Sequence, residues 1–179
     1  MYTNIDTNTG LNAIEKFINS NRNQLPTNFP TELFLETLKL VMNNNIFTFG
    51  DSYWIQLSGT AMGTPVACAY ATVSFGYFEN TEILTEFEPN LLYYQWYIDD
   101  IFGIWLPPSQ NKESTWKAFT NTLNDWGSLH WITEKPSKSS TFLDLNISIQ
   151  NSRIVTTTFQ KDHNLYLYIA PSSTHPQVA

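Results

Sequence analysis

The sequence predicts an α+β fold, and three observations lead there. Apolar residues recur at helical spacing in four separate stretches. Short runs rich in strand formers come in pairs, around Gly50-Asp51 and around Asp99-Asp100, as hairpins do. The two kinds of element do not alternate regularly, so a parallel sheet with crossover helices is not expected.

In chain order, Met1 to Thr9 reads as extended and turns at Gly10. Leu11, Ile14, Phe17 and Ile18 then form the stripe of a short amphipathic helix ending near Asn19. Pro26 and Pro30 punctuate a loop. Thr31 is suited to cap a second helix, with Glu32 in its first turn and Leu33, Phe34, Leu38 and Val41 on one side. Asn43-Asn44-Asn45 ends it. Ile46–Phe49 and Tyr53–Leu57 pair across Gly50-Asp51. After a small-residue loop, Thr64 caps and Pro65 opens a third helix running to about Asn80. Its first half is small enough for its backbone to approach a neighbour closely. Pro107-Pro108 breaks the chain after the acidic hairpin. Trp116, Phe119, Leu123 and Trp126 mark a fourth helix, stopped by Gly127. Leu129–Ile132, Phe142–Ile149 and Ile154–Phe159 read as strands, and Leu165–Tyr168 is a further apolar run.

The 179 residues are expected to form one domain with a substantial core. Apolar residues make up 42% and aromatic residues 15%, a globular rather than a disordered composition. Charged residues are only 14%, against about 25% in ordinary domains, with Asn, Thr and Ser taking their place. The net charge of −7 opposes unaided nucleic-acid binding, which needs Lys and Arg to neutralise phosphate. Cys68 is the only cysteine, so no intrachain disulfide is possible and a reduced compartment fits. His130, His163 and His175 lack ligand spacing, and no structural zinc site is expected. No apolar run reaches the roughly 18 residues of a membrane span, and the N-terminus lacks a secretory signal. The expectation is an intracellular protein, nuclear or cytoplasmic, with no membrane partner.

The stretch with the clearest chemistry is Leu91–Trp105, two aromatic arms flanking Asp99-Asp100. Adjacent side chains on a strand point to opposite faces, but a tight turn lets both carboxylates serve one site. Two anions held together require a cation or a proton. Carboxylate oxygens suit Mg²⁺, which takes one or two of them plus substrate phosphates. Both arms are apolar almost throughout, so the hairpin is expected to be buried on both sides with its acidic tip in a cleft. An ordinary polar turn is the other reading of Asp-Asp alone.

Tyr97-Ile98-Asp99-Asp100 resembles the Tyr-x-Asp-Asp box of reverse transcriptases. Three further stretches follow the order found there: Gly59–Pro65, Thr133-Glu134-Lys135 and Phe142-Leu143-Asp144. With Tyr2–Ile5, Tyr97–Phe102, Trp105, Leu165-Tyr166-Leu167 and His175-Pro176, the wording is similar to Penelope-like retroelement reverse transcriptases over nearly the whole chain. Several motifs in order weigh more than one.

The resemblance implies a right-hand polymerase palm, an antiparallel sheet backed by helices. Fingers and palm elements would occupy about 1–57, the palm 58–160 with its catalytic hairpin at 91–105, and the start of the thumb 161–179. It implies an RNA-directed DNA polymerase adding deoxynucleotides to a primer 3′ end on a template, with Mg²⁺ (or Mn²⁺) ions flanking the in-line displacement. Asp99 and Asp100 would be the catalytic metal ligands. Gly63 would let backbone approach the incoming nucleotide, with Thr64, Pro65 and Tyr97 beside it, although a helix cap explains Gly63 equally. Tyr2 would stack beneath the sugar. Phe142 and Leu143 would support the primer end. Lys135 would protonate the pyrophosphate leaving group, or is a solvated loop lysine.

The family's first metal-binding Asp would lie five residues before Tyr2, ahead of Met1, and Asp6, Asp51 and Asp144 are poor substitutes. Met62 stands where other reverse transcriptases commonly have glutamine, and Cys68 where many have proline. The resemblance therefore implies a middle piece of a polymerase, without the preceding fingers, the full thumb or an attached nuclease. Such a piece alone is expected to be inactive and to leave an unpaired sheet edge. A non-catalytic remnant serving as a binding or scaffold domain is the alternative.

Overall fold

The structure is a computed structural model and describes residues 4–61 and 63–161. The chain divides into two compact units, Met1–Lys135 and Pro136–Ala179. It is mixed α+β, with helices and three small antiparallel sheets. None of the described helices is long and apolar enough to cross a membrane. The Leu165–Tyr168 run, Tyr2 and Met62 lie outside the described residues.

In the first unit, helix α1 spans Thr7–Ser20, so Gly10 sits inside a helix rather than at a turn. The helix starts early because Asp6 caps it, accepting hydrogen bonds from the Thr9 amide and hydroxyl, both at 2.8 Å. The amide bond holds the Asp6 carboxyl below the usual carboxylate range, with the hydroxyl adding to the effect. Helix α2 spans Thr31–Asn43, and Pro30 rather than Thr31 stands at its N-cap. The Thr31 hydroxyl is engaged instead, accepting from the Arg22 guanidinium at 2.7 Å.

Strands β1 (Ile46–Phe49) and β2 (Ser52–Ile55) pair across Gly50-Asp51 as expected, and every residue in them is exposed. Helix α3 spans Ala67–Phe78, starting two residues later than the expected Pro65. The Thr64 carbonyl accepts from the Ala67 amide at 2.9 Å, so the segment before it turns before it coils. Past Phe78 the helical run continues as a π-turn, Glu79–Ile83, and then as α4, Leu84–Phe87. Strands β3 (Leu91–Tyr97) and β4 (Asp100–Trp105) follow, then helix α5, Lys112–Leu123.

Phe75 lies at the centre of this unit, fully buried. Its ring meets Trp96 edge-on at 5.3 Å and Trp126 at 5.6 Å, with Trp131 at 5.2 Å and Phe78 at 6.1 Å. Such pairs each add about 0.5–1.5 kcal/mol beyond burial. A second aromatic group joins Phe87, Trp105, Trp116 and Phe119, tying α4, β4 and α5 together. Leu129–Ile132 is not a strand. The Asn124 side chain occupies both backbone groups of Trp131, accepting from its N–H at 2.6 Å and donating to its carbonyl at 3.3 Å. Those groups are then not available to a ladder.

The second unit is a three-stranded antiparallel sheet in the order β5-β6-β7. The expected single strand Phe142–Ile149 is instead broken by a tight turn at Leu143-Asp144, between β5 (Ser139–Phe142) and β6 (Leu145–Gln150). Strand β7 is Arg153–Thr158, joined through Asn151-Ser152, both at positive φ as a type I′ turn demands.

Two core features give testable consequences. A Cβ at Gly10 would lie 2.1 Å from the hydroxyl of Tyr70 and 2.5 Å from its ring, which is buried and donates to the Thr7 carbonyl at 3.0 Å. Gly10→Ala, which stabilises an ordinary helix interior by up to about 1 kcal/mol, is expected here to destabilise by about 1–3 kcal/mol through overpacking. Thermal unfolding measures the sign. The second feature is Glu79, only 6% exposed. Burial pushes its carboxyl above the ordinary 4.5, against smaller opposing effects of Tyr94 and Trp96. The folded state therefore holds this proton more tightly than the unfolded chain. The resulting stability is present below 4.5 and is lost as pH rises through the folded value. Glu79→Gln is expected to remove that fall, giving a higher urea midpoint than the native chain at neutral pH.

Candidate functional site

The acidic pair sits at the tip of the β3–β4 hairpin. The register runs from Leu91↔Trp105 to Tyr97↔Asp100, leaving a loop of just two residues, Ile98 and Asp99. Asp99 is thus a loop residue and Asp100 the first residue of β4, and both are exposed. Ile98 has φ of +53°, whereas Asp99 does not have positive φ. That sign pattern belongs to a type II′ turn, whose first central position favours glycine. A β-branched side chain in left-handed backbone is strained, at a cost of about 1–3 kcal/mol, and such strain gathers at functional sites.

The chain contains its own reference. The β1–β2 hairpin has the same two-residue form with Gly50 at φ +60° followed by Asp51. Glycine supplies there, without strain, the conformation that Ile98 adopts with it. In the second unit, Leu143 at φ +53° precedes Asp144 in a third turn of the same kind. The two strained apolar-Asp turns are the two that carry the resemblance motifs.

The hairpin is not buried on both sides. Tyr94, Trp96, Ile101 and Trp105 pack on the core, while Tyr93, Gln95 and Tyr97 on the opposite face are exposed. Helices cover one face only, and among the described residues the outer edges of β3 and β4 have no strand partner. The tip lies beside a small cavity rather than deep in a cleft. That space, about 250 Å³, is lined by Ala71, Thr72, Trp96, Tyr97 and Ile98. Ala71 and Thr72 of α3 border this space, whereas the close helical neighbour of α3 is α1, through Tyr70 and Gly10.

The other candidates are distributed unevenly. Gly63 has φ of +93° and open space where a side chain would stand, so conformation rather than crowding demands glycine there. Thr64 lies near Asn45, its hydroxyl donating at 3.5 Å, and Pro65 is exposed. Lys135 is exposed at the end of the first unit, and none of the described hydrogen bonds joins it to the acidic pair. Phe142 and Leu143 belong to the second unit. Asp6 is committed to capping α1.

Asp99 and Asp100 offer hard carboxylate oxygens, the donor type Mg²⁺ prefers, at a turn open to water and ligand. They fit an ion whose remaining positions are filled by phosphate oxygens and water. No cluster of three or more His, Cys, Asp or Glu side chains suited to a metal is assembled among the described residues.

Glu79 escaped the sequence reading. It lies four residues after Phe75 and four before Ile83, on the core-facing stripe of its helical run, and that spacing was the available signal.

The strain at the tip has a direct test. Ile98→Gly relieves about 1–3 kcal/mol of backbone strain and costs about 0.5–1 kcal/mol of chain entropy. A net gain of about 1 kcal/mol is expected by urea unfolding, with Gly50→Ile losing a similar amount in the reference hairpin. Comparison with protein-family models, with curated proteins and with solved structures finds no match to this chain.

Proposed function

We propose that the chain is a reverse-transcriptase palm, an RNA-directed DNA polymerase domain of the kind found in Penelope-like retroelements. The observation that carries the reading is the strained, two-residue Ile98-Asp99 turn, which presents adjacent exposed carboxylates at the end of a hairpin whose Tyr97 and Ile98 share a cavity with Ala71 and Thr72 of α3. An ordinary surface turn would have no reason to keep isoleucine where Gly50 serves without strain. The order of the motifs along the chain supports it independently.

In this reading Asp99 and Asp100 hold Mg²⁺ together with the triphosphate of a deoxynucleotide. When bound, the ions would lower the pKa of the primer hydroxyl and neutralise charge on the phosphates. Asp99 and Asp100 supply the fixed negative field, and Tyr97 offers an exposed ring next to it. Gly63 keeps a side chain out of the space before the α3 segment. Lys135 serves as proton donor to the leaving pyrophosphate, and Tyr2 stacks on the sugar. Phe142 and Leu143 support the primer end, and template-primer is the macromolecular partner.

A second reading, a non-catalytic binding or scaffold domain, is favoured by the net charge of −7, which repels a polyanion. Primer extension with Mg²⁺, by the polypeptide that carries this chain, separates them. Template-dependent incorporation is expected, falling at least about 1,000-fold in Asp99→Asn, since the amide removes a charge and little volume. Incorporation at the native rate in Asp99→Asn sinks the assignment of Asp99. No incorporation in the native polypeptide favours the scaffold.

A further inference from the structure

Among the described residues, Glu79 is the only charged side chain that is buried, and the acidic tip does not use it. It opens the π-turn, an element that is rare and concentrated at functional sites. The extra residue is visible in the bonding, where the Leu84 amide donates to the Glu79 carbonyl five residues back. The Glu79 carboxyl faces Tyr94 and Trp96, two residues apart on the inner face of β3. It does not settle against Tyr94: Glu79 Oε1 and Tyr94 Oη are both enclosed, and neither makes a hydrogen bond. Two complementary polar groups are therefore held close but misaligned, a state that a small movement of β3 would relieve. Space for that movement exists, because Asn80, Leu84 and Tyr94 border an open groove running along the start of β3. Trp96, the second partner, lies two residues before Ile98 and lines the cavity at the tip.

We propose that Glu79 is a positioning residue for the acidic tip: acting through Tyr94 and Trp96, it sets where β3 carries Ile98 and Asp99, and gain or loss of its proton moves them. The chemistry is a choice between two hydrogen-bonding patterns. In one pattern, completed by a small movement of β3, the carboxylate would accept from the Tyr94 hydroxyl and the Trp96 indole N–H. The protonated carboxyl retains acceptor capacity and adds a donor, so the pull on β3 changes. Tyr94 is the titratable group facing it, and burial together with Glu79 raises the phenol's own pKa. Lys112, Glu113 and Lys117 of α5, which packs on the π-turn, are exposed, as are Glu82, Glu86 and Glu88. Among the described residues no second buried charge competes. The inference concerns the hairpin itself and stands whether or not the tip is a polymerase site.

Amide and indole NMR signals of the whole chain, titrated upward from pH 4.5, provide the test. The Trp96 indole N–H and the amides of Ile98 and Asp99 are expected to share one transition, with a midpoint above 4.5. Tip amides that move without the Trp96 indole in step would overturn the proposal. Glu79→Gln should abolish the shared transition. Tyr94→Phe removes a hydroxyl that lowers the Glu79 pKa, so the midpoint should rise further. The proposal is overturned if the indole titrates while the tip amides stay still. It is equally overturned if the shared midpoint survives Glu79→Gln, or if Tyr94→Phe leaves it unmoved.

Discussion

Phe75 is the contact on which the first unit depends. Its ring is fully buried on α3 and meets rings from β3 and from the segment after α5. Removing such a ring costs about 3–5 kcal/mol, a large share of the stability of a typical domain. The constraint does more than stabilise. Phe75 fixes Trp96, Trp96 fixes the inner face of β3, and β3 ends at the acidic turn. The strain at Ile98 is tolerated because the arms beneath it are anchored by aromatic packing on one side.

That packing leaves the hairpin two different faces. The inner face is held by Phe75, Phe87 and Phe119 through Trp96 and Trp105. The outer face presents Tyr93, Gln95 and Tyr97 to solvent, with Phe102 half-buried and its ring 6.1 Å from Tyr93. An aromatic outer face, and strand edges that have no partner among the described residues, are a liability in a free domain. The same hairpin therefore combines a support packed on the core with an exposed, acidic tip.

Much of this was legible in the sequence. Helices α1, α2, α3 and α5 follow the stripes of apolar residues, and the Gly50-Asp51 hairpin follows its turn residues. What escaped depends on contacts between distant residues or on turns without turn chemistry. Gly10 reads as a breaker, yet its missing side chain is what admits the Tyr70 ring against α1. Leu143 reads as mid-strand because leucine rarely takes positive φ, so one expected strand became two. Leu129–Ile132 has the composition of a strand, but the Asn124 side chain and the Phe75 ring claim Trp131 first. At the candidate site, the acidic pair and Gly63 were legible as residues. The strain at Ile98 and the buried carboxyl behind β3 emerge only when the hairpin is folded onto α3.

On the proposed reading, the strained tip is a divalent-cation site for a nucleoside triphosphate. Mn²⁺, a paramagnetic stand-in for Mg²⁺, broadens NMR signals of residues close to where it binds. Added in small amounts to the chain, it is expected to broaden the amides of Tyr97–Ile101 first, and more strongly once a deoxynucleoside triphosphate is present. In Asp99→Asn that selectivity should vanish. Uniform broadening over all acidic residues, unchanged by the triphosphate and by Asp99→Asn, would contradict the account.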